Sequence, residues 1–270
     1  MRLGTLTAAA ALVAATMLMP AAGPTTAPAY AAPAGDHPGN QHGDQHGEHH
    51  GAVVEKRVIG HSVRGRPIRA WRLGEPGKRR VLLISTMHGD EGRTRQILES
   101  LRDGRPIRGV DLWVVPVYNP DGLARGTRKN AHGVDLNRNF PYAWADLDGS
   151  YESGPRPASE PETRAMMRFL KKIEPSRILS FHQPLHGVDT ATKSPAFSRK
   201  VASHLRLPRR SLTCGGVCHG TMTGWFNHRS DGAALTVEYG SHPPRKRMAE
   251  AAPRQVLHLF DAHRVKRPRR

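Results

Sequence analysis

A histidine and a carboxylate stand three positions apart at His88 and Glu91, where the run Val81-Leu82-Leu83-Ile84-Ser85 ends. Imidazole nitrogen and carboxylate oxygen are natural zinc ligands, and a catalytic zinc keeps three protein ligands with a fourth position open. Taken alone, His-x-x-Glu is a short motif that a surface turn also carries. Two further apolar runs complete it: Ile178-Leu179-Ser180-Phe181 delivers His182, and Leu235-Thr236-Val237 delivers Glu238. In open α/β sheets ligands gather outside the carboxyl ends of the strands, so residues distant in sequence meet in one crevice. The reading is one zinc ion held by His88, Glu91 and His182, with Glu238 as general base.

The elements that must position these groups are strands at 81–85, 112–117, 178–181 and 235–237, alternating with helical patterns. That alternation predicts an α/β fold: a mixed, mostly parallel, twisted sheet with helices on both faces. The clearest helix starts at Ser159, where Ser159 and Glu162 have the spacing of a capping box. It buries Met166, Phe169, Leu170 and Ile173 at helical intervals. Those methionine and aromatic positions read as core. No internal repeat is present, and 52–263 is one catalytic domain.

The flanks read differently. Arg2, an alanine-rich apolar stretch and Ala29-Tyr30-Ala31 form a secretory signal over 1–31, too short for a comfortable membrane span. The expectation is an exported monomer, secreted and possessing no transmembrane segment once the signal is removed. The 32–51 linker holds five of the chain's 16 histidines and almost nothing apolar. It cannot bury enough surface to fold, although short His-rich tracts also gather metal. The formal charge of +18 favours polyanions. Anionic cell-wall polymers are the expected partners, through a basic tail at 264–270. Export and the lack of a base-reading motif argue against nucleic acid. Cys214 and Cys218 read as a small local disulfide in an oxidising compartment, with an unpaired thiol pair as the alternative.

Between the ligand motifs lie Asn119-Pro120-Asp121-Gly122, then Gly126-Thr127-Arg128-Lys129-Asn130, then Gly133-Val134-Asp135-Leu136-Asn137-Arg138-Asn139-Phe140-Pro141. With these motifs in this order, the chain from about Ile59 to Gly240 resembles the zinc carboxypeptidase family. The resemblance implies that family's fold and zinc-dependent peptidase activity. It gives His88, Glu91 and His182 as metal ligands and Glu238 as the catalytic glutamate. Arg128 becomes the group that polarises the scissile carbonyl, and Asn137 and Arg138 the pair that grips a free α-carboxylate. Guanidinium forks suit both tasks, being planar and always charged.

Departures from the pattern bear on the substrate. No tyrosine lies between His182 and Glu238, where the digestive enzymes of the family place a mobile one. The specificity pocket is expected around Thr223, beside Thr221 and Met222, with no large apolar or simple acidic character. The Gly220-Thr221-Met222-Thr223-Gly224-Trp225 stretch looks like the bacterial murein peptide amidases, which cut between γ-D-glutamate and meso-diaminopimelate. In such a muropeptide Arg138 would hold the diaminopimelate carboxylate, and Asp231 or His219 would meet its second head. Two other readings stand beside this one: a carboxypeptidase or deacylase of broader specificity, and a peptidoglycan-binding module that has lost turnover. Retention of a general base argues against the last.

Overall fold

The computed structural model describes residues 51–212 and 218–266. The expected signal, nearly all of the His-rich linker and Cys214 lie outside them, as does the pairing of Cys214 with Cys218. The described strands are β1 (Val53–His61), β2 (Pro67–Gly74), β3 (Arg80–Ser85), β4 (Ile107–Arg108), β5 (Asp111–Val115), β6 (Arg177–His182), β7 (His186–Asp189), β8 (Arg209–Arg210), β9 (Ala233–Tyr239) and β10 (His263–Arg264). Six α-helices accompany them: α1 (Arg95–Arg102), α2 (Pro120–Arg125), α3 (Pro161–Ile173), α4 (Pro195–Leu205), α5 (Met222–Arg229) and α6 (Ala252–Leu259). Among the described residues no helix is long and apolar enough to cross a membrane.

Eight strands form one mixed sheet in the order β1-β2-β5-β3-β6-β9-β7-β8. The centre, β5-β3-β6-β9, is parallel throughout, whereas β1, β2 and β7 join antiparallel. This arrangement follows from composition. Strands buried on both faces read as continuous apolar runs, and β3 and β5 are buried from Val81 to Ser85 and along all of Asp111–Val115. Alternate side chains then serve opposite faces. Val81, Leu83, Leu112, Val114, Leu179 and Leu235 join one core cluster with helices α1, α4 and α6. Leu82, Ile84, Trp113, Val115, Ile178 and Ala234 join the other with α3 and α5. Each fully buried aliphatic side chain contributes about 1.5–3 kcal/mol, so the central strands form a firm base for whatever projects from their ends.

Several boundaries differ from expectation. The strand expected at 112–117 starts at Asp111 and ends at Val115. Asp111 is buried there because Arg72 grips both its oxygens at 2.8 Å and Arg80 donates at 3.0 Å. Helix α3 begins at Pro161, and no capping box forms. Ser159 instead donates to Glu160, while Glu162 accepts from the Val63 N–H and from Asn130. Arg264, expected in the tail, pairs with Ile107 in the β10-β4 ribbon and donates to the carbonyls of Arg105 and Ser100. Leu179-Ser180-Phe181 continues through His182 as β strand, which puts that imidazole on the sheet itself.

Candidate active site and metal centre

Ser180 and His182 are two residues apart on β6 and therefore face the same way. His182 is in register with Glu238 on the neighbouring parallel strand β9, so the side chains of those two residues leave the sheet on one face at the carboxyl ends of their strands. On the other side of β6, β3 is followed by Thr86 at φ 55°, a left-handed conformation unusual for a branched residue, and the chain swings into Met87 and His88.

The result is a buried cluster. Among the described residues, His88, Glu91 and His182 alone bring three such ligand atoms together, within 4.8 Å of one another. Both imidazoles turn Nδ1 toward the same carboxylate: His88 Nδ1 lies 2.6 Å from Glu91 Oε1 and His182 Nδ1 lies 2.9 Å from Glu91 Oε2. Their Nε2 atoms are anchored behind, His88 against Asp135 Oδ1 at 3.1 Å and His182 against Ser180 Oγ at 2.9 Å. An imidazole that presents one nitrogen inward while the other is held by a carboxylate or hydroxyl is the usual support of a metal-binding histidine. Burial alone would lower the His88 pKa, but Asp135 and Glu91 raise it to about 9. Burial would raise Glu91, but His88 and His182 pull it down to about 2. The donors thus form a buried cluster in which two carboxylates favour positive charge, and two nitrogens plus one oxygen fit zinc.

Asp135 is the group that sequence reasoning passed over. It has no solvent exposure, and besides His88 it accepts from the Asn137 N–H at 2.8 Å and from Arg128 through Nε at 3.0 Å and Nη2 at 2.7 Å. That grip leaves Arg128 Nη1 beside the candidate metal donors, 3.2 Å from His88 Nδ1 and 3.5 Å from Glu91 Oε1. The only sequence signal was an aspartate just ahead of Asn137, in a position to cap the short turn Leu136–Arg138. Asn119 is the second such residue. Its Oδ1 caps α2 through the Gly122 N–H, and its Nδ2 reaches the carbonyls of Met87 and Arg128 at 3.3 Å. One amide thereby joins the His88 loop to the Arg128 loop.

Arg138 is 4% exposed, and its guanidinium donates to the Asn137 carbonyl at 2.7 Å with no carboxylate bound to it among the described residues. Burial lowers its pKa. A buried guanidinium with N–H groups left over is suited to an incoming carboxylate. Asn137 lies alongside, its Oδ1 accepting from the Met222 N–H at 3.1 Å, which brings the first turn of α5 and Thr223 to the Arg138 loop. Glu238 is buried, its Oε2 accepts from the Leu185 N–H at 3.1 Å, and burial raises its pKa. A carboxylate pushed up this way is suited to take and release a proton.

Asp231 does not belong to this assembly. It precedes β9 at the end of the sheet opposite Glu238, and it faces a surface hollow with Trp225, Phe226 and Arg229. A strand rises about 3.3 Å per residue, so the length of β9 separates the two carboxylates. His219 is held by the Ala143 carbonyl at 2.8 Å.

Beyond the carboxyl ends of the central strands this sheet thus carries a His₂Glu donor set, a buried carboxylate and two guanidiniums. The zinc carboxypeptidase family model matches residues 40–192, and the chain belongs to that family. Glu238 lies beyond the matched stretch. The chain is 34% identical over 145 residues to murein peptide amidase A of Escherichia coli K12, covering 48% of this chain and 60% of that protein. It is also 29% identical over 207 residues to bacteriocin BCN5 of Clostridium perfringens, covering 69% of this chain and 23% of that one. The crystal structure of the murein-tripeptide amidase of Escherichia coli O157 superposes with a TM-score of 0.65 at 25% identity, over 80% of this chain and 96% of that one. Carboxypeptidase A of Helicoverpa armigera reaches the same TM-score of 0.65 at 18% identity, which is a likeness of fold.

Proposed function

We propose that this chain is an exported zinc peptidase that hydrolyses an amide bond next to a free carboxylate, in cell-wall peptides between γ-D-glutamate and meso-diaminopimelate. The observation that carries the reading is the linkage through Asp135, whose carboxylate touches both His88 and Arg128, with the unfilled guanidinium of Arg138 close by in sequence. The amidase relatives support the cell-wall substrate, and the leader-like sequence of 1–31 supports export.

Each residue has a derivable task. His88 Nδ1, Glu91 and His182 Nδ1 would hold zinc. Bound there, zinc would supply Lewis acidity and lower the pKa of the attacking water. Arg138 takes the substrate carboxylate in a charge-assisted fork and thereby sets which amide lies over the donor cluster. Arg128, pinned by Asp135, aims Nη1 at the carbonyl oxygen where negative charge develops; donors so placed contribute about 3 kcal/mol. Glu238 accepts the proton of the attacking water and returns it to the leaving amine.

The test is mass spectrometry of L-Ala-γ-D-Glu-meso-diaminopimelate after incubation with zinc-loaded protein, beside ordinary C-terminal peptides, a chelator-treated sample and Glu238→Gln. Release of free diaminopimelate by the untreated parent alone supports the full reading. Trimming of ordinary peptides instead removes the cell-wall substrate and keeps the mechanism. A Glu238→Gln protein as active as its parent removes the general base.

A further inference from the structure

Tyr151 ends a short turn, Gly149–Tyr151, in a segment to which no site residue was expected to belong. The residue is 41% exposed, yet both site guanidiniums lie over its ring: Arg138 Cζ is 4.7 Å and Arg128 Cζ 5.5 Å from the ring centroid. The placement is built into the backbone. The next residue, Glu152, gives its carbonyl to the Asp135 N–H at 2.7 Å and its side chain to the Gly154 N–H at 2.9 Å. Ser153 then accepts Asn139 Nδ2 at 2.8 Å and Trp144 Nε1 at 3.4 Å through its carbonyl. The chain just past Tyr151 is therefore fastened to Asp135 and Asn139, which flank Asn137 and Arg138 in sequence.

From this geometry we infer that Tyr151 is a positioning residue: its ring fixes the two guanidiniums so that the N–H edge of Arg138 is presented to a substrate carboxylate. Cations over an aromatic face are held by the ring quadrupole, and that contact occupies a face of the guanidinium and leaves its hydrogen-bonding edge free. Arg138 needs such a constraint, because among the described residues its guanidinium hydrogen-bonds only to the adjacent Asn137 carbonyl. Arg128 is already fixed by Asp135, so loss of the ring should fall mainly on the carboxylate grip and less on the carbonyl. The inference rests on the reading of Arg138 as the carboxylate-binding group.

The experiment is calorimetric binding of L-Ala-γ-D-Glu-meso-diaminopimelate, and of the same peptide amidated at the carboxylate next to the scissile bond, to zinc-loaded Glu238→Gln protein. Tyr151→Leu in that background should weaken the free-carboxylate peptide about tenfold and leave the weaker amidated peptide unchanged. Tyr151→Phe, which keeps the ring, should restore the affinity. In the active enzyme the same loss should appear in KM more than in kcat. Equal losses for both peptides, or no loss for either, would overturn the inference. If the parent binds neither peptide, the proposed substrate fails. Sodium acetate titrated against the Arg138 Nε–H resonance then decides for Tyr151 alone: a weaker acetate response in Tyr151→Leu upholds the positioning role, and an unchanged one ends it.

Discussion

Asparagine in place of Asp135 keeps the shape of the side chain and removes its charge. The carboxylate is wholly buried and meets four groups: the Asn137 N–H at 2.8 Å and His88 Nε2 at 3.1 Å on one oxygen, Arg128 Nε at 3.0 Å and Nη2 at 2.7 Å on the other. An amide keeps one acceptor for one side and sets an NH₂ group against donors on the other. Breaking a buried ion pair by removing one partner costs about 3–5 kcal/mol. Arg128 retains 27% of its side-chain exposure, so water partly compensates it and about 3 kcal/mol is the expected figure. For a domain of this size that corresponds to a Tm lower by about 6–12 °C. With His88 as a zinc ligand, as proposed, loss of the carboxylate behind its imidazole should also weaken zinc by about 10- to 100-fold. Scanning calorimetry gives the first quantity, and competition with a chromophoric chelator gives the second. An Asp135→Asn protein that keeps its zinc affinity within about twofold and its Tm within about 2 °C would refute the reasoning.

Two further expectations follow from neighbouring contacts. A Cβ on Gly89 would stand 1.9 Å from the Gly122 carbonyl carbon and 2.3 Å from the Leu123 nitrogen. Gly89→Ala must therefore displace the turn between His88 and Glu91, with a cost of about 1–3 kcal/mol; zinc affinity should fall with stability, and a destabilised variant with intact zinc binding would contradict this account. Asp121 supplies a pH signature. Burial opposes its ionisation, but the Arg64 N–H, the Arg66 guanidinium and the Ser62 hydroxyl outweigh that and hold its pKa below the ordinary 3.8. A depressed carboxylate stabilises the fold above its unfolded pKa, and that contribution is lost as pH falls through the lower folded value. In urea unfolding, the stability gap between the parent and Asp121→Asn should be full near neutral pH and shrink below about pH 4; a gap that is constant with pH would count against it.

The strands that carry the site were legible because burial on both faces demands largely apolar runs, and 81–85 and 178–181, with one serine each, have them. The donor types were legible too, since few combinations of imidazole and carboxylate stand at the ends of such runs. Local signals failed where a side chain answered to a distant partner. Ser159 and Glu162 have capping-box spacing, yet Asn130 and the Val63 N–H take up Glu162. Asp231 has the chemistry to meet a substrate amine, yet its place before β9 puts it at the far end of the strand from Glu238.

By itself the sequence determined where the buried strands run and which residues have metal-binding chemistry, because those properties belong to residue type and short-range period, while the family resemblance of the surrounding motifs singled out Arg128 and Arg138. Only the tertiary structure decided that Asp135 joins His88 to Arg128, that Asn119 joins their two loops, and that the ring of Tyr151 lies under both guanidiniums. Hydrogen bonds and ring contacts act over a few ångströms, and the distances that matter here are set by how the loops beyond the strand ends fold back on one another.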